Sequence, residues 1–465
     1  MSDSDKKENL ATSPSLEKSQ KESVDSNIFA AGSWPDKDWW IFFDSPRLSE
    51  WINEAFDKNP SLQSLEYSIE QARQVAVVSR SKLMPTLYFD ARDNYSYFSQ
   101  HELVHLYNPS LPISGYEVDL SLAFNYEFDF WNKNRNLFRA AIGELKAKTA
   151  EYYQAELIVS TSLAQAYFAL LTTIQKKELY QDLVNVRKKR LELQIKMQEG
   201  AIFDAFPPLL GDEGVKETQQ LVAEMEDEIR IETHQINILI GRGPDEDLCL
   251  ENFSKNPPKQ IPIPQDLSSN LLARRPDLMA QIWRAEALAS EVSAAKADFF
   301  PNINLAAFGG FKSIAWNNLF QNSSHTVGYS PAISLPIFTA GAIKANVRTK
   351  KAAFDKAIFE YNNLLLVSAA EVADALSQVQ TAYRQKELQT QVVFDATKRL
   401  ELTLLRQMGR LDSEFSVLDY EEALIEKKIK EVDFTYLQYA FVVKLMKSLG
   451  GGYLSSEVPI SKGPS

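Results

Sequence analysis

Residues 113–206, 209–243 and 337–458 contain no proline, and only 17 glycines occur in the 465 residues. A proline inside a helix costs about 3 kcal/mol and a glycine about 1. Runs this free of breakers therefore leave room for helices of sixty residues or more, and at 1.5 Å per residue a 65-residue helix reaches about 100 Å, far beyond an ordinary globular core. The last run also carries a pairing seam. Ile425, Ile429, Val432, Tyr436, Tyr439, Val443 and Met446 step by fours and threes, the spacing of a coiled-coil contact. A long helix in an ordinary bundle explains that seam equally well.

Composition narrows the choices. Hydrophobic residues make up 45% and charged residues 24%, within the folded range, and the length exceeds one ordinary domain. The formal charge of −12 repels phosphate and sets nucleic acid aside as a partner. Cys249 stands alone, so neither an intrachain disulfide nor a cysteine-based zinc site can form. No cofactor and no metal are expected. Residues 1–33, rich in Ser, Lys, Glu and Asp, read as a disordered tail without the apolar core of a signal peptide, and no run reaches the roughly 18 apolar residues of a spanning helix. Taken alone, those features suggest a cytosolic chain. Strands of a membrane β-barrel, however, escape hydropathy averages because only every second residue is apolar.

Two distant places show that alternation. In 116–130, Tyr116, Val118, Leu120, Leu122, Phe124, Tyr126, Phe128 and Phe130 occupy even positions, while Glu117, Asp119, Ser121, Asn125, Glu127 and Asp129 occupy odd ones. Such a run is much longer than the usual five or six residues of a soluble strand, and its two faces suit lipid on one side and water on the other. Leu87, Phe89, Ala91, Tyr95 and Tyr97 alternate in the strand before it. The second place, 303–311 followed by 327–337, puts Val327, Tyr329, Ile333, Leu335 and Ile337 on one face and is interrupted by Gly309, Gly310 and Pro331. Strands are expected at about 86–98, 116–130, 302–312 and 326–338.

The two places belong to an internal repeat. Pro85 matches Pro301, Tyr153 matches Tyr361, Val159-Ser160 matches Val367-Ser368, Gly200 matches Gly409 and Gly241 matches Gly450, at an offset of about 208. Each half reads as helix, two strands, long helix, turn and returning helix. The expected boundaries are 34–250 for the first repeat, 251–270 for a linker, 271–455 for the second repeat and 456–465 for a C-terminal tail. The first repeat opens at Trp34 with the aromatic group Trp39, Trp40, Phe42 and Phe43, then a helix over about 49–56 and another over 61–82. Four strands cannot close a barrel, since about eight are needed before side chains even fit inside, and open edges do not sit in lipid. Three copies would supply twelve strands around an aqueous lumen, continued by the helices.

The chain resembles the TolC-like outer membrane efflux channels, in particular the NodT-type branch that partners resistance-nodulation-division pumps. The resemblance rests on LLARRPDLMAQIWRAEALASEVSAAKADFFPNINL at 271–305, on WWIFFDSPRLSEWINEAFDKNPSL near the start, on SLPIFTAGAIKANV after the fourth strand and on Leu449-Gly450-Gly451-Gly452-Tyr453. It implies a mainly α fold with a small β part: a homotrimer whose twelve-stranded transmembrane β-barrel, four strands per chain, sits in outer membrane lipid above a periplasmic α-barrel of long coiled-coil helices. It further implies a passive conduit for small molecules, opened when a periplasmic adaptor and an inner-membrane pump engage. The outer channel of a type I protein secretion system shares this architecture, and a soluble coiled-coil scaffold is the rival of a different class. Members of this branch carry a signal peptide and a lipid-modified cysteine, neither visible here. Pro207 and Pro208 also stand where the family pattern runs as a smooth helical hairpin, so a reshaped tip is expected.

Particular residues gain roles from these patterns together with that resemblance. Tyr116, Val118, Leu120, Leu122, Phe124, Tyr126 and Phe128 would face lipid. Asp412, Glu414 and Asp419, with Asp204 as first-repeat counterpart, would form acidic rings at the periplasmic aperture, although a solvated turn with one N-cap aspartate accounts for them as well. Arg190, Leu191 and Gly200, with Arg399, Leu400 and Gly409, would dock the adaptor, or be ordinary helix-surface positions. Arg274-Arg275-Pro276-Asp277 fits a helix start and carries no transport chemistry. His101-Glu102-Leu103-Val104-His105 spells the zinc-hydrolase motif, but it lies between two strands near Pro109 and Pro112. A solvated loop is expected there, and the chain is not expected to be an enzyme.

Overall fold

The computed structural model describes residues 10, 11, 14, 28–101, 105, 107–110, 112–248, 258, 260–264, 267 and 274–454. In chain order the elements are β1 (Phe29–Gly32), a 3-10 turn (Trp39–Phe43), α1 (Pro46–Lys58), α2 (Pro60–Ser81), β2 (Thr86–Tyr97), β3 (Ser114–Phe128), α3 (Lys133–Glu199) and α4 (Phe206–Ile240). They continue with β4 (Ile261–Pro264), α5 (Pro276–Ala297), β5 (Asn302–Ser313), β6 (His325–Ser334), α6 (Ala342–Met408) and α7 (Glu414–Ser448), with two short 3-10 turns between β5 and β6. From α2 onward the helices and strands of the first half have counterparts in the second. Helices α2 and α5 have 22 residues each, α3 and α6 have 67, and α4 and α7 have 35.

The chain divides into two compact units. One draws on Ser68–Lys148 and Gln281–Phe359, the other on Asn9–Tyr67, Thr149–Ala280 and Glu360–Ser465. The first, the sheet unit, contains an antiparallel four-stranded sheet in the order β2-β3-β5-β6. The fourth strand ends at Ser334 rather than near 338, because Pro336 has no N–H to extend the ladder. At the glycine pair, a Cβ on Gly310 would come 2.1 Å from the Leu120 carbonyl oxygen. Only glycine allows β5 that close to β3.

The second, helical unit has one large apolar core. Trp51 and Ile52 of α1, Leu163, Phe168 and Leu170 of α3, Ile236 and Ile240 of α4, Val372 and Leu376 of α6 and Val442 and Val443 of α7 are all buried in it. The Phe168 ring stacks on Tyr439 with centroids 4.1 Å apart. The seam read from α7 faces this interior: Ile425, Ile429, Tyr439, Val443 and Met446 are buried, and Val432 and Tyr436 half-buried. Leu183 and Val186 of α3 meet Leu418, Ile425 and Ile429 of α7 in a second, smaller cluster. One 18-residue window of α3 averages a hydropathy of 1.6, enough for a membrane span by composition, yet 61% of it is buried. It is apolar because it is core.

Helix ends follow local chemistry. Ser45 accepts from Leu48 N–H to start α1 with Pro46 in its first turn, and the Asn59 side chain accepts from Ser61 and Leu62 to start α2. At the start of α5, Arg275 is almost wholly buried and donates to Asp277, to Glu371 of α6 and to the Ser448 carbonyl of α7. The RRPD stretch is thus a tie among three helices as well as a helix start.

Two sequence expectations need correction. Phe29–Gly32 lies in the stretch read as a disordered tail and Ile261–Pro264 in the stretch read as a linker, yet the two pair in parallel. Phe29, Ile261 and Ile263 join the helical core. Four-residue strands show too few residues for a periodicity, and each finds its partner more than two hundred residues away.

Candidate functional site

The sheet separates two chemistries. Antiparallel register places paired residues on one face, and the pairs Phe89↔Leu122, Leu122↔Gly309 and Gly309↔Val327 trace one row across all four strands. On that face stand Leu87, Phe89, Ala91, Tyr95 and Tyr97 of β2, Tyr116 to Phe128 at even positions of β3, Ile303, Leu305, Ala307 and Phe311 of β5, and Val327, Tyr329 and Ile333 of β6. On the outer strands these side chains are largely uncovered, Phe89 68% exposed, Ile333 72% and Val327 86%, while those of the inner strands are mostly half-buried. The opposite face carries Asp90, Arg92 and Asn94, Glu117, Asp119 and Ser121, Asn304 and Lys312, and Thr326 and Ser330. Lys312 pairs with Glu117 at 2.8 Å across that face. Both outer strands, β2 and β6, have one edge without a partner strand among the described residues.

Of the seven candidates for lipid contact, Tyr116, Leu122 and Phe128 are exposed and Leu120, Phe124 and Tyr126 half-buried. Val118 departs from expectation, with no exposed surface. It shares the apolar face, but the loop between β5 and β6 folds over it. Trp316 Nε1 donates to Asp93, the cross-strand partner of Val118, Phe320 packs on Phe311, and Leu319 is fully buried. In the His-containing loop between β2 and β3, His101, Tyr107, Asn108, Pro109, Ser110 and Pro112 are exposed, and His105 is the one buried residue among those described. His105 is 6% exposed, with its ring near Phe98 at the end of β2. Glu102, Leu103 and Val104 lie outside the described residues. Among the described residues, no group of three or more His, Cys, Asp and Glu side chains is placed to hold a metal.

The turns of the helical unit have a common backbone. Helix α3 ends with Ala201 N–H on the Gln198 carbonyl and Ile202 N–H on Met197; α6 ends with Arg410 on Gln407 and Leu411 on Arg406. Each is a Schellman closure. The left-handed position falls on Ala201 (φ 56°) and Arg410 (φ 60°), one residue after Gly200 and Gly409. Phe203 and Phe415 bring the two turns into contact, with centroids 5.8 Å apart. Pro207 and Pro208 sit in the first turn of α4, where no intrahelical N–H bond is lost; the hairpin forms with a return helix as long as that of the second repeat.

The acidic candidates separate. Asp204 Oδ1 accepts from Phe206 N–H at 3.0 Å, an Asx turn just ahead of α4, whose N-cap is Ala205. Asp412 is held by Arg406, whose Nε donates at 2.6 Å, and the N-cap of α7 is Ser413, not an aspartate. Glu414 is exposed in the first turn of α7. Asp419 meets Arg190, joining an aperture candidate to a docking candidate. Leu191 is half-buried beside Gly211 of α4, Arg399 is exposed and Leu400 half-buried on α6.

Arg190 is part of a larger cluster. Its guanidinium also reaches Glu422 at 3.3 Å. Arg187, one turn earlier, donates to Glu422 at 2.7 Å, to the Gly214 carbonyl at 3.1 Å and to Thr218 Oγ1 at 2.7 Å. Two cations on α3, two carboxylates on α7 and a hydroxyl on α4 thereby fasten the first hairpin to the second. Arg187, Glu422 and Thr218 were not picked out from sequence. A signal exists: Arg187 and Arg190, like Asp419 and Glu422, are like charges three residues apart on a helix, which is unfavourable without a partner.

Comparison with known proteins matches this geometry. A family profile described as outer membrane efflux protein matches residues 51–200 and 267–451. The chain is 28% identical to the multidrug resistance outer membrane protein MdtQ of Escherichia coli O6:H1 over 429 residues, covering 90% of this chain and 89% of that protein. Among solved structures it is similar to the outer membrane protein VceC of Vibrio cholerae, with a TM-score of 0.80, 28% identity and coverage of 90% of this chain and 100% of that one. The CmeC outer membrane channel of Campylobacter jejuni shares the fold, with a TM-score of 0.84, 21% identity and coverage of 92% and 90%. The chain belongs to the outer membrane efflux protein family.

Proposed function

We propose that three copies of this chain close a twelve-stranded barrel in the outer membrane and form the outer conduit of a tripartite efflux system. The observation that carries the reading is the sheet: one face presents large apolar side chains from all four strands, with Phe89, Leu122, Val327 and Ile333 exposed, and its two edges have no partner strand among the described residues. Lipid satisfies the face, and only closure satisfies the edges in lipid. The polar face then lines the lumen. A duct of this kind needs no catalytic group; a periplasmic adaptor and an inner-membrane pump supply selection and energy. Small molecules as cargo are supported by the relative's description as a multidrug resistance protein.

The turns at 200–205 and 409–413 form the periplasmic aperture, and the cluster of Arg187, Arg190, Asp419 and Glu422 fastens the hairpins while it is shut. Arg399 and Leu400 remain available on α6 for the adaptor. The test is export itself. In a double-membraned host lacking its own outer channel, co-expression with a cognate adaptor and pump should restore resistance to small toxic compounds, and Glu102→Gln should restore it equally. Restoration only with a type I protein exporter would move the cargo to polypeptides, and dependence on Glu102 would favour the hydrolase.

A further inference from the structure

One carboxyl group in the helical unit sits where a charge is hard to keep. Glu232 of α4 is 9% exposed. Its Oε1 accepts from Thr173 Oγ1 of α3 at 3.2 Å, while its Oε2 is shut off from solvent without a hydrogen-bond partner among the described residues. An ionised carboxylate with one orphaned oxygen is costly in such a place, whereas the neutral acid is tolerated. Assembly into an oligomer can only deepen that burial.

The groups around it offer no cation of its own. On α3, Lys176 is the nearest cation, but its ammonium lies 3.1 Å from Asp433 of α7. On α4 itself, Glu228 stands one turn away and adds like charge. On α7, Tyr436 faces both Glu232 and Glu228. Burial pushes the Glu232 carboxyl up to about 7, and Glu228 adds to it, while the Thr173 hydroxyl and Lys176 oppose the rise.

We propose that Glu232 is a proton-operated joint: neutral, it lets α4 pack closely against α3 and α7; ionised, it admits water and loosens that packing. The sign follows from linkage. The carboxyl ordinarily titrates at 4.5 and in the packed unit at about 7, so the packed state binds the proton more tightly. Its advantage is complete below the lower value and is lost as pH rises through the upper one. The joint depends on the helical unit alone; its consequence for transport rests on the conduit reading, in which a helical duct outside the inner membrane meets the acidity of the medium.

Amide hydrogen exchange on the detergent-solubilised full chain between pH 5.5 and 8.5, corrected for the intrinsic pH dependence of exchange, tests this. Opening of the α4 segment around 228–240 should increase about thirtyfold over that range. Glu232→Gln, isosteric and uncharged, should remain protected throughout. Glu228→Gln should keep the response with a lower-shifted effect, its midpoint moving toward acid, and His234→Gln should leave the response unchanged. A flat profile in the natural sequence, an undiminished response in Glu232→Gln, or a response abolished by His234→Gln would each overturn the joint. Failure of the export assay with this exchange pattern intact would sink the conduit reading and leave the joint standing.

Discussion

The helical unit and the sheet unit treat large apolar side chains in opposite ways. Leu163, Ile236 and Val442 have no exposed surface because residues of α1, α2, α3, α4, α6 and α7 pack together in one core. Phe89, Val327 and Ile333 stand bare on one face of a sheet whose other face is charged. Burial of apolar surface drives folding at about 25 cal/mol per Å², so the first unit excludes water by itself while the second requires an apolar phase from outside. An exposed face of this extent is otherwise an aggregation hazard. The helical unit is not wholly self-sufficient: Leu366, Phe394, Leu402 and Leu405 of α6 are exposed, a stripe suited to packing between copies.

That contrast can be broken at several points. The largest effect is expected in the helical core, where Phe168→Ala should cost about 3–5 kcal/mol, read as a lowered denaturation midpoint in detergent; Phe89→Ala on the bare face should cost far less in the same measurement. Next comes Leu122→Arg, which should lose about 2–4 kcal/mol near the middle of a bilayer and reduce the yield of membrane-inserted oligomer. Ser121→Arg, one residue away beside Asp90 on the polar face, should insert normally. Equal loss for both would mean that the two faces do not meet different solvents.

Smaller effects sharpen the comparison within the helical unit. Arg187→Gln removes the charged donor shared by Glu422, Gly214 and Thr218 and should weaken the tie between the hairpins by about 1.5–3 kcal/mol. Bilayer conductance should then show more frequent opening, with no change in inserted yield. Ala201→Gly relieves a left-handed alanine and should stabilise by about 1 kcal/mol, seen as a slightly higher denaturation midpoint.

Much of this architecture was legible before any coordinates. Missing prolines marked α3, α4, α6 and α7, because a helix tolerates few interruptions of its own hydrogen bonds. Alternation over 116–130 marked β3, because a face in lipid and a face in water demand different residues at successive positions. What stayed hidden depends on partners distant in sequence. The β1–β4 pair is too short for a periodicity. Val118 has the same pattern as its neighbours and is distinguished only by the loop carrying Trp316 and Leu319. Asp412 and Asp419 look alike in sequence, yet one is tied to Arg406 across its own turn and the other to Arg190 of another helix. Glu232 reads as one more acid on an acidic helix until Thr173 and the missing partner of Oε2 are seen.

The central claim is that the bare sheet face and open strand edges are completed by lipid and by two further copies of the chain. Expressing the chain with an export signal in a double-membraned host, separating the membranes and weighing the detergent-extracted protein by light scattering addresses it most directly. Recovery from the outer membrane at three times the 52.7 kDa chain mass is the predicted result. A water-soluble monomer or dimer would contradict it, and the apolar face would then need a cover other than lipid.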